Sequence, residues 1–199
     1  MTNRRLTIYG DSGSGNCHKV RFVAEQLQMP FRWVETSALS GDTRQPAFLA
    51  INPAGQVPTV TLPDGRHLAQ SNAIMLFLAE GSRLIPTDSY ERANMNKWLF
   101  CEQNNHEPWI AVRRKLKKML GKSDDQIDPN LMANGIRALS IMNEHLATRL
   151  YFVGDRLTLA DIALVAYTRF ADEGGFNLAE FPAVRAWVGR IEADLGLRR

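Results

Sequence analysis

The sequence predicts an α/β domain followed by an all-helical one, in the element order βαβαββα and then a helical bundle. Three observations carry this. Short β-prone runs alternate with helical periodicity through about residue 80, and beyond residue 88 only the helical period recurs. Between them, residues 81–88 contain Pro86 and continue neither pattern. With 199 residues and 45% hydrophobic content, both parts can bury a core. The expected domains are therefore residues 1–80 and 88–199.

Residues 6–9 form a β-prone run that ends at Gly10, and 16–28 carry Val20, Val23, Ala24 and Leu27 at i, i+3, i+4 and i+7 of a helix. Residues 31–36 alternate as a second strand. A short helix at 46–51 precedes the turn Asn52-Pro53-Ala54-Gly55. Residues 59–62 and 66–69, joined by Pro63-Asp64-Gly65, read as a hairpin, and 71–80 as a closing helix. In the second half, helices are expected to start near Ser89, Asp128, Thr158 and Phe181. Met132, Ile136, Leu139, Met142 and Leu146 make one apolar stripe on the second of these. Thr158-Leu159-Ala160-Asp161 is a capping-box variant flanked by Leu157 and Ile162 as a hydrophobic staple.

Composition excludes several function classes. Cys17 and Cys101 lie far apart, with no CxxC or Cys/His ligand spacing, so neither a disulfide framework nor a metal site is expected and a reducing compartment fits. The start of the chain carries Arg4 and Arg5 but no apolar leader core, and no apolar stretch is long enough to span a membrane. A cytoplasmic protein without a membrane partner is the expectation. The net charge of +3 raises the question of nucleic acid. Its main basic cluster, Arg113, Arg114, Lys115, Lys117, Lys118 and Lys122, lies among Trp109, Val112, Leu116, Met119 and Leu120 at helical spacing, which reads as an amphipathic helix with a solvated basic face. No nucleic-acid motif or aromatic platform accompanies it, and no nucleic-acid partner is expected.

The element order, Val57-Pro58 at the start of the third strand, Gln70-Ser71 at the start of the third helix, and the Leu157–Ile162 capping motif together resemble the glutathione transferase family across the whole chain. The loop and helix start from Ser14 to Arg21 are similar to the serine-using theta, zeta and related bacterial members. The resemblance implies a thioredoxin-like glutathione-binding domain and a helical domain that contributes the electrophile pocket. It also implies a detoxifying cytosolic transferase, with glutathione as co-substrate and a homodimeric assembly. Glutathione-dependent disulfide or peroxide reduction, or a non-catalytic binding module on the same fold, stays open beside conjugation.

Such chemistry needs a stabilised thiolate, because a free thiol with a pKa of about 8.5 is mostly protonated near neutral pH. Ser14 stands just before the first helix, where its hydroxyl can donate to sulfur while the helix N-terminus adds positive potential. Ser12, Asn16 and Cys17 share that position. Asn16 is an auxiliary donor or an N-cap, and Cys17 is either an alternative thiol with a lowered pKa or a small residue packed inward. For binding, the resemblance implies Gln56 on the glycine carboxylate, the Val57 backbone before Pro58 on the cysteinyl part, and Gln70 and Ser71 on the γ-glutamyl end. A neutral Gln70 gives a weaker contact than the acidic residue many members carry. For the electrophile pocket, helical spacing suggests His106, Trp109 and Arg113, with Asn105 beside them. His18 and His145 receive no catalytic role.

Overall fold

The computed structural model describes residues 5–197, and the chain divides into two compact units, Met1–Ser82 and Arg83–Arg199. The outermost residues of the two expected ranges, 1–4 (with Arg4 of the leader reading) and 198–199, lie outside the described residues.

The first unit has the expected order: β1 Leu6–Gly10, α1 Gly15–Gln26, β2 Phe31–Glu35, α2 Pro46–Leu49, β3 Thr59–Thr61, β4 His67–Ala69 and α3 Ser71–Ala79. The sheet runs β2-β1-β3-β4, with β1 parallel to β2 and β3 antiparallel to both its neighbours. Strand β1 is central, so its inward side chain Ile8 is fully buried, opposite Trp33 on one side and Val60 on the other. Helices α1 and α3 pack together and supply Val20, Val23, Ala24, Ile74 and Met75 to the core. The period-3.6 pattern over α1 is the cause: those apolar positions share one face, which removes about 1.5–3 kcal/mol worth of side chain from water per large residue.

The register fixes the useful end of this unit. Tyr9 pairs with Thr59 and Thr59 with Ala69, while Gly10 pairs with Glu35. Thus the loop leaving β1, the turn entering β3, the residues after β4 and the end of β2 all emerge at one edge of the sheet.

The second unit is helical. Helix α4, Ser89–Cys101, runs through a π turn at Glu102–His106 into α5, Glu107–Arg114, and a second π turn at Lys115–Met119. Pro108 has no N–H to bond back into the preceding turn, which accounts for the first of these wide turns. Then follow α6 Pro129–Leu146, α7 Leu159–Thr168 and α8 Pro182–Asp194. Among the described residues no helix is long and apolar enough to cross a membrane.

Two expected faces are corrected. On α6 the buried positions are Leu131, Gly135, Ala138, Leu139, Met142 and Leu146, whereas Ile136 is exposed and Met132 only half-buried. The seam is set by Gly135, where a β-carbon would fall 2.4 Å from the Phe176 ring; a hydrophobicity pattern favours Ile136 and misses that approach. On α5 the basic face is not solvated as a whole. Arg113 and Arg114 turn inward, Arg113 donating to the Gly174 carbonyl at 2.8 Å and pairing with Asp124, and Arg114 pairing with Glu173 at 2.7 Å. Lys115, Lys118 and Lys122 stay exposed, and so do the apolar Val112, Met119 and Leu120. An arginine buries well when its fork finds a carbonyl and a carboxylate together, information that lies 11 to 61 residues away in the chain.

The expected linker is also tighter than its composition suggests. Leu84, Ile85 and Pro86 are buried; the Leu84 carbonyl accepts from the Leu159 N–H at 3.1 Å, and the Pro86 carbonyl from Arg92 Nε.

Candidate active site

At the sheet edge of the first unit, the loop between β1 and α1 is built by its own short polar residues. The Asp11 carboxylate accepts from the Gly13 N–H at 2.8 Å, and the Asp11 carbonyl from the Ser14 N–H at 3.0 Å. The Glu35 carboxylate, at the end of β2, accepts from the Ser12 N–H, the Ser12 hydroxyl at 2.6 Å and Trp33 Nε1. Burial alone would raise the Glu35 pKa, but these hydrogen bonds outweigh it and hold the carboxyl below its ordinary value. Gly10 leaves room for Trp33, whose ring would lie 2.4 Å from a β-carbon there.

Ser14 is the N-cap residue of α1 with extended backbone, and its hydroxyl makes no capping bond to that helix. Asn16 and Cys17 follow in the first turn and point to different surroundings. The Asn16 carbonyl oxygen accepts from Lys19 Nζ at 2.8 Å and from the Ser71 hydroxyl at 3.0 Å, so a contact spanning 55 residues joins α1 to the start of α3. Cys17 is fully buried and its sulfur accepts from the Asp11 N–H at 3.3 Å. Burial pushes its thiol up to about 11, although the Asp11 N–H and the Ser14 hydroxyl both lower it. The lowered pKa expected from a helix N-terminus is thus reversed, because desolvation of a thiolate costs more than the helix end returns.

The turn before β3 is held by one buried residue. Asn52 donates from its amide to the Gln56 carbonyl and to Thr59 Oγ1, both at 2.9 Å, and accepts from the Ala54 N–H. Thr59 Oγ1 in turn donates to the Gln56 carbonyl. Gln56 is exposed, Val57 half-buried and Pro58 buried, and the Val57–Pro58 bond is cis. At the other side of the edge, Gln70 adopts φ 72°, a conformation uncommon for a residue with a side chain, and Ser71 begins α3 at 5% exposure.

The sheet register therefore gathers Ser14, Asn16, Gln56, Val57, Pro58, Gln70 and Ser71 at one edge. Sequence reading missed Glu35, Asn52 and Lys19, which hold them. Lys19 had a signal: it lies on the helical face of Asn16, Val20 and Val23, where a charge interrupts an apolar pattern. Glu35 and Asn52 had none, since an acid at a strand end and an asparagine in a turn are ordinary.

The second unit contains its own pocket of about 420 Å³ between α4, α5, α6 and α7. Trp98, Trp109, Met142 and Leu164 give it an apolar wall, and Asn105, His106, Asn134 and Arg137 supply polar groups. His106 is buried and its Nε2 lies 2.9 Å from the Thr168 hydroxyl. Of the expected pocket residues, Asn105, His106 and Trp109 line it. Arg113 does not, because its side chain is turned to Gly174 and Asp124. Among the described residues no group of three His, Cys, Asp or Glu side chains could hold a metal ion.

Comparison with known proteins agrees with this layout. Residues 13–80 match the glutathione S-transferase N-terminal domain, and residues 113–194 the glutathione S-transferase C-terminal domain. A glutathione S-transferase structure from Xanthobacter autotrophicus Py2 superposes with a TM-score of 0.90 at 44% identity, over 94% of this chain and 93% of that one. Glutathione S-transferase 3 of Zea mays is 31% identical over 94% of this chain and 89% of its own length. The disulfide-bond oxidoreductase YfcG of Escherichia coli K12 is 25% identical over 89% of this chain and 86% of its own length.

Proposed function

This chain belongs to the glutathione S-transferase family, and from that premise we propose that it conjugates glutathione to small electrophilic compounds in the cytoplasm. In this reading the domain of residues 1–80 binds glutathione, and that of residues 88–199 offers the electrophile pocket, with His106 and Trp109 on its wall. The observation that carries the reading is the gathering of the three loop segments at the end of the sheet, through Tyr9, Thr59 and Ala69.

The chemistry asked of the site is modest. The Ser14 hydroxyl donates to the glutathione sulfur while the N-terminal end of α1 adds positive potential, and Asn16 serves as an auxiliary donor. Lowering a thiol pKa by about two units takes roughly 2.7 kcal/mol, which a charge-assisted hydrogen bond and a helix dipole together supply. Backbone groups at Val57 pair with the cysteinyl part, Gln56 reaches the glycine end, and Gln70 with the Ser71 N–H holds the γ-glutamyl carboxylate at the start of α3. Cys17, buried with a raised pKa, is a poor nucleophile and stays outside the reaction.

Titration with glutathione tests this, with thiolate absorbance followed near neutral pH. Wild type is expected to show saturable thiolate formation, and Ser14→Ala to lose it while Cys17→Ala keeps it. Loss in Asn16→Ala alone would move the activating role to that residue, and saturable binding with no thiolate in wild type would leave a non-catalytic binding module. A second reading, glutathione-dependent disulfide reduction, draws on the similarity to an oxidoreductase. It would use the same site and release glutathione disulfide instead of a thioether, so product analysis separates the two. The family also leads us to propose a homodimer, for which light scattering should return twice the mass of the 22.4 kDa chain; the single-chain mass would refute it.

A further inference from the structure

We propose that the pocket of the second unit selects aromatic electrophiles that carry a carboxylate, and that Arg137 is the residue that selects them; this rests on the transferase reading above. The pocket, about 420 Å³ in volume, is graded from apolar to polar. Trp98, Met142 and Leu164 are buried in its wall, Trp109 and Asn134 are half-buried, and Asn105 and Arg137 are exposed at its mouth. A flat apolar ring is therefore favoured inside, against the two tryptophans, with a polar substituent left at the opening.

Arg137 gives that opening its sign. Among the described residues no Asp or Glu lines the pocket, and the Arg137 guanidinium makes no ion pair or hydrogen bond. One turn away on α6 it has Ala133, Asn134, Ser140 and Ile141, none of which can neutralise it. Its two parallel N–H groups match the two oxygens of a carboxylate, and the Asn105 and Asn134 carboxamides add neutral donors. In open water such a pair is worth little. It gains when a ring fills the pocket and displaces the water beside the fork.

The reaction needs no further reagent. With 4-chloro-3-nitrobenzoate, the glutathione thiolate forms a C–S bond at ring carbon 4, and chloride leaves with the C–Cl electron pair. The carboxylate takes no part in these bond changes and serves only to anchor the ring.

The test sets this compound against 4-chloro-3-nitrobenzamide, which keeps the ring and the leaving group without the charge. Binding is followed without glutathione by quenching of tryptophan fluorescence, and turnover with glutathione by thioether formation. Arg137 is exposed, so its substitution should leave folding intact. Arg137→Gln is expected to raise Kd for the benzoate about tenfold and to leave the benzamide within about twofold, with the ratio of their kcat/KM values falling in step. Arg137→Lys keeps the charge without the fork and should fall between Arg137→Gln and wild type. Sodium chloride should weaken benzoate binding in wild type and not in Arg137→Gln. Trp109→Ala should weaken both compounds alike.

A benzoate-to-benzamide ratio unchanged in Arg137→Gln overturns the proposal, as does failure of wild type to bind either compound. Thioether formation from both at a ratio indifferent to Arg137 would uphold the transferase reading and overturn the selectivity. Arg137-dependent binding of the benzoate with no thioether from either compound would do the reverse: the anion-selecting pocket would stand and the transferase reading would fall.

Discussion

Cys17 shows how burial and a helix end compete at one residue. A thiolate in the first turn of α1 gains from the helix dipole, an effect of about 0.3–1 kcal/mol. Removing that thiolate from water costs more, and the thiol rises to about 11. In folded protein near pH 8, Cys17 should therefore be almost entirely protonated and enclosed. Cys101, on α4 and half-buried, is the accessible one. A thiol-reactive disulfide reagent is expected to titrate one cysteine in the native protein and two after denaturation, with Cys101→Ala abolishing the native signal. Rapid native labelling that disappears in Cys17→Ala would show an accessible, activated thiol and revive thiol transfer through Cys17. Position in the sequence could not decide this: it told that Cys17 begins a helix, while its enclosure depends on which neighbours close over it. Ser14, by contrast, was legible only as a residue just before the first helix, and it stands at the N-cap of α1 without a side-chain capping bond.

The start of α7 was the most legible element, and the structure enlarges it. Thr158 and Asp161 form the expected box, but the Asp161 carboxylate also accepts from the Phe152 N–H and from Trp187 Nε1, both at 3.0 Å. Its two bonds from Thr158, through N–H and hydroxyl, complete a buried network of four donors on one carboxylate. Burial raises the pKa of this acid, and the four hydrogen bonds oppose it. Thr158→Ala should lower stability by about 1 kcal/mol, the ordinary cost of a lost cap. Asp161→Ala should cost about 3 kcal/mol or more, since it strands several buried donors at once. Denaturant unfolding checks both, with thiolate formation expected to survive in Thr158→Ala. If that variant unfolded at the wild-type midpoint yet lost activity, α7 would have a role in the chemistry. The wider lesson for elements is one of sign. Caps and periods are local and were readable, whereas the faces of α5 and α6 turned on partners such as Gly174, Asp124 and Phe176 that no local pattern reports.

At the scale of the chain, the change from mixed to purely helical composition marked the division into two units, which the structure places at Ser82 and Arg83. What composition could not show is that the proline-bearing segment after that point is an ordered part of the second unit. Backbone becomes a protease site when it can leave its hydrogen bonds and enter an extended cleft, and burial opposes both steps. Leu84 is fully buried with its carbonyl bonded to Leu159, and Ile85 and Pro86 are buried beside it, so cutting after Arg83 requires that these groups be pulled out. The end of the second π turn is the opposite case. Residues 118–126 are all exposed, and Lys118 and Lys122 offer trypsin its preferred side chain there. Limited trypsin digestion under native conditions should therefore cut after Lys118 or Lys122 well before Arg83, with fragments identified by mass. Early cleavage after Arg83, releasing the two units intact, would mean that the segment from residue 83 opens readily in solution. The stability of the second unit would then not depend on the Leu84 anchor to α7.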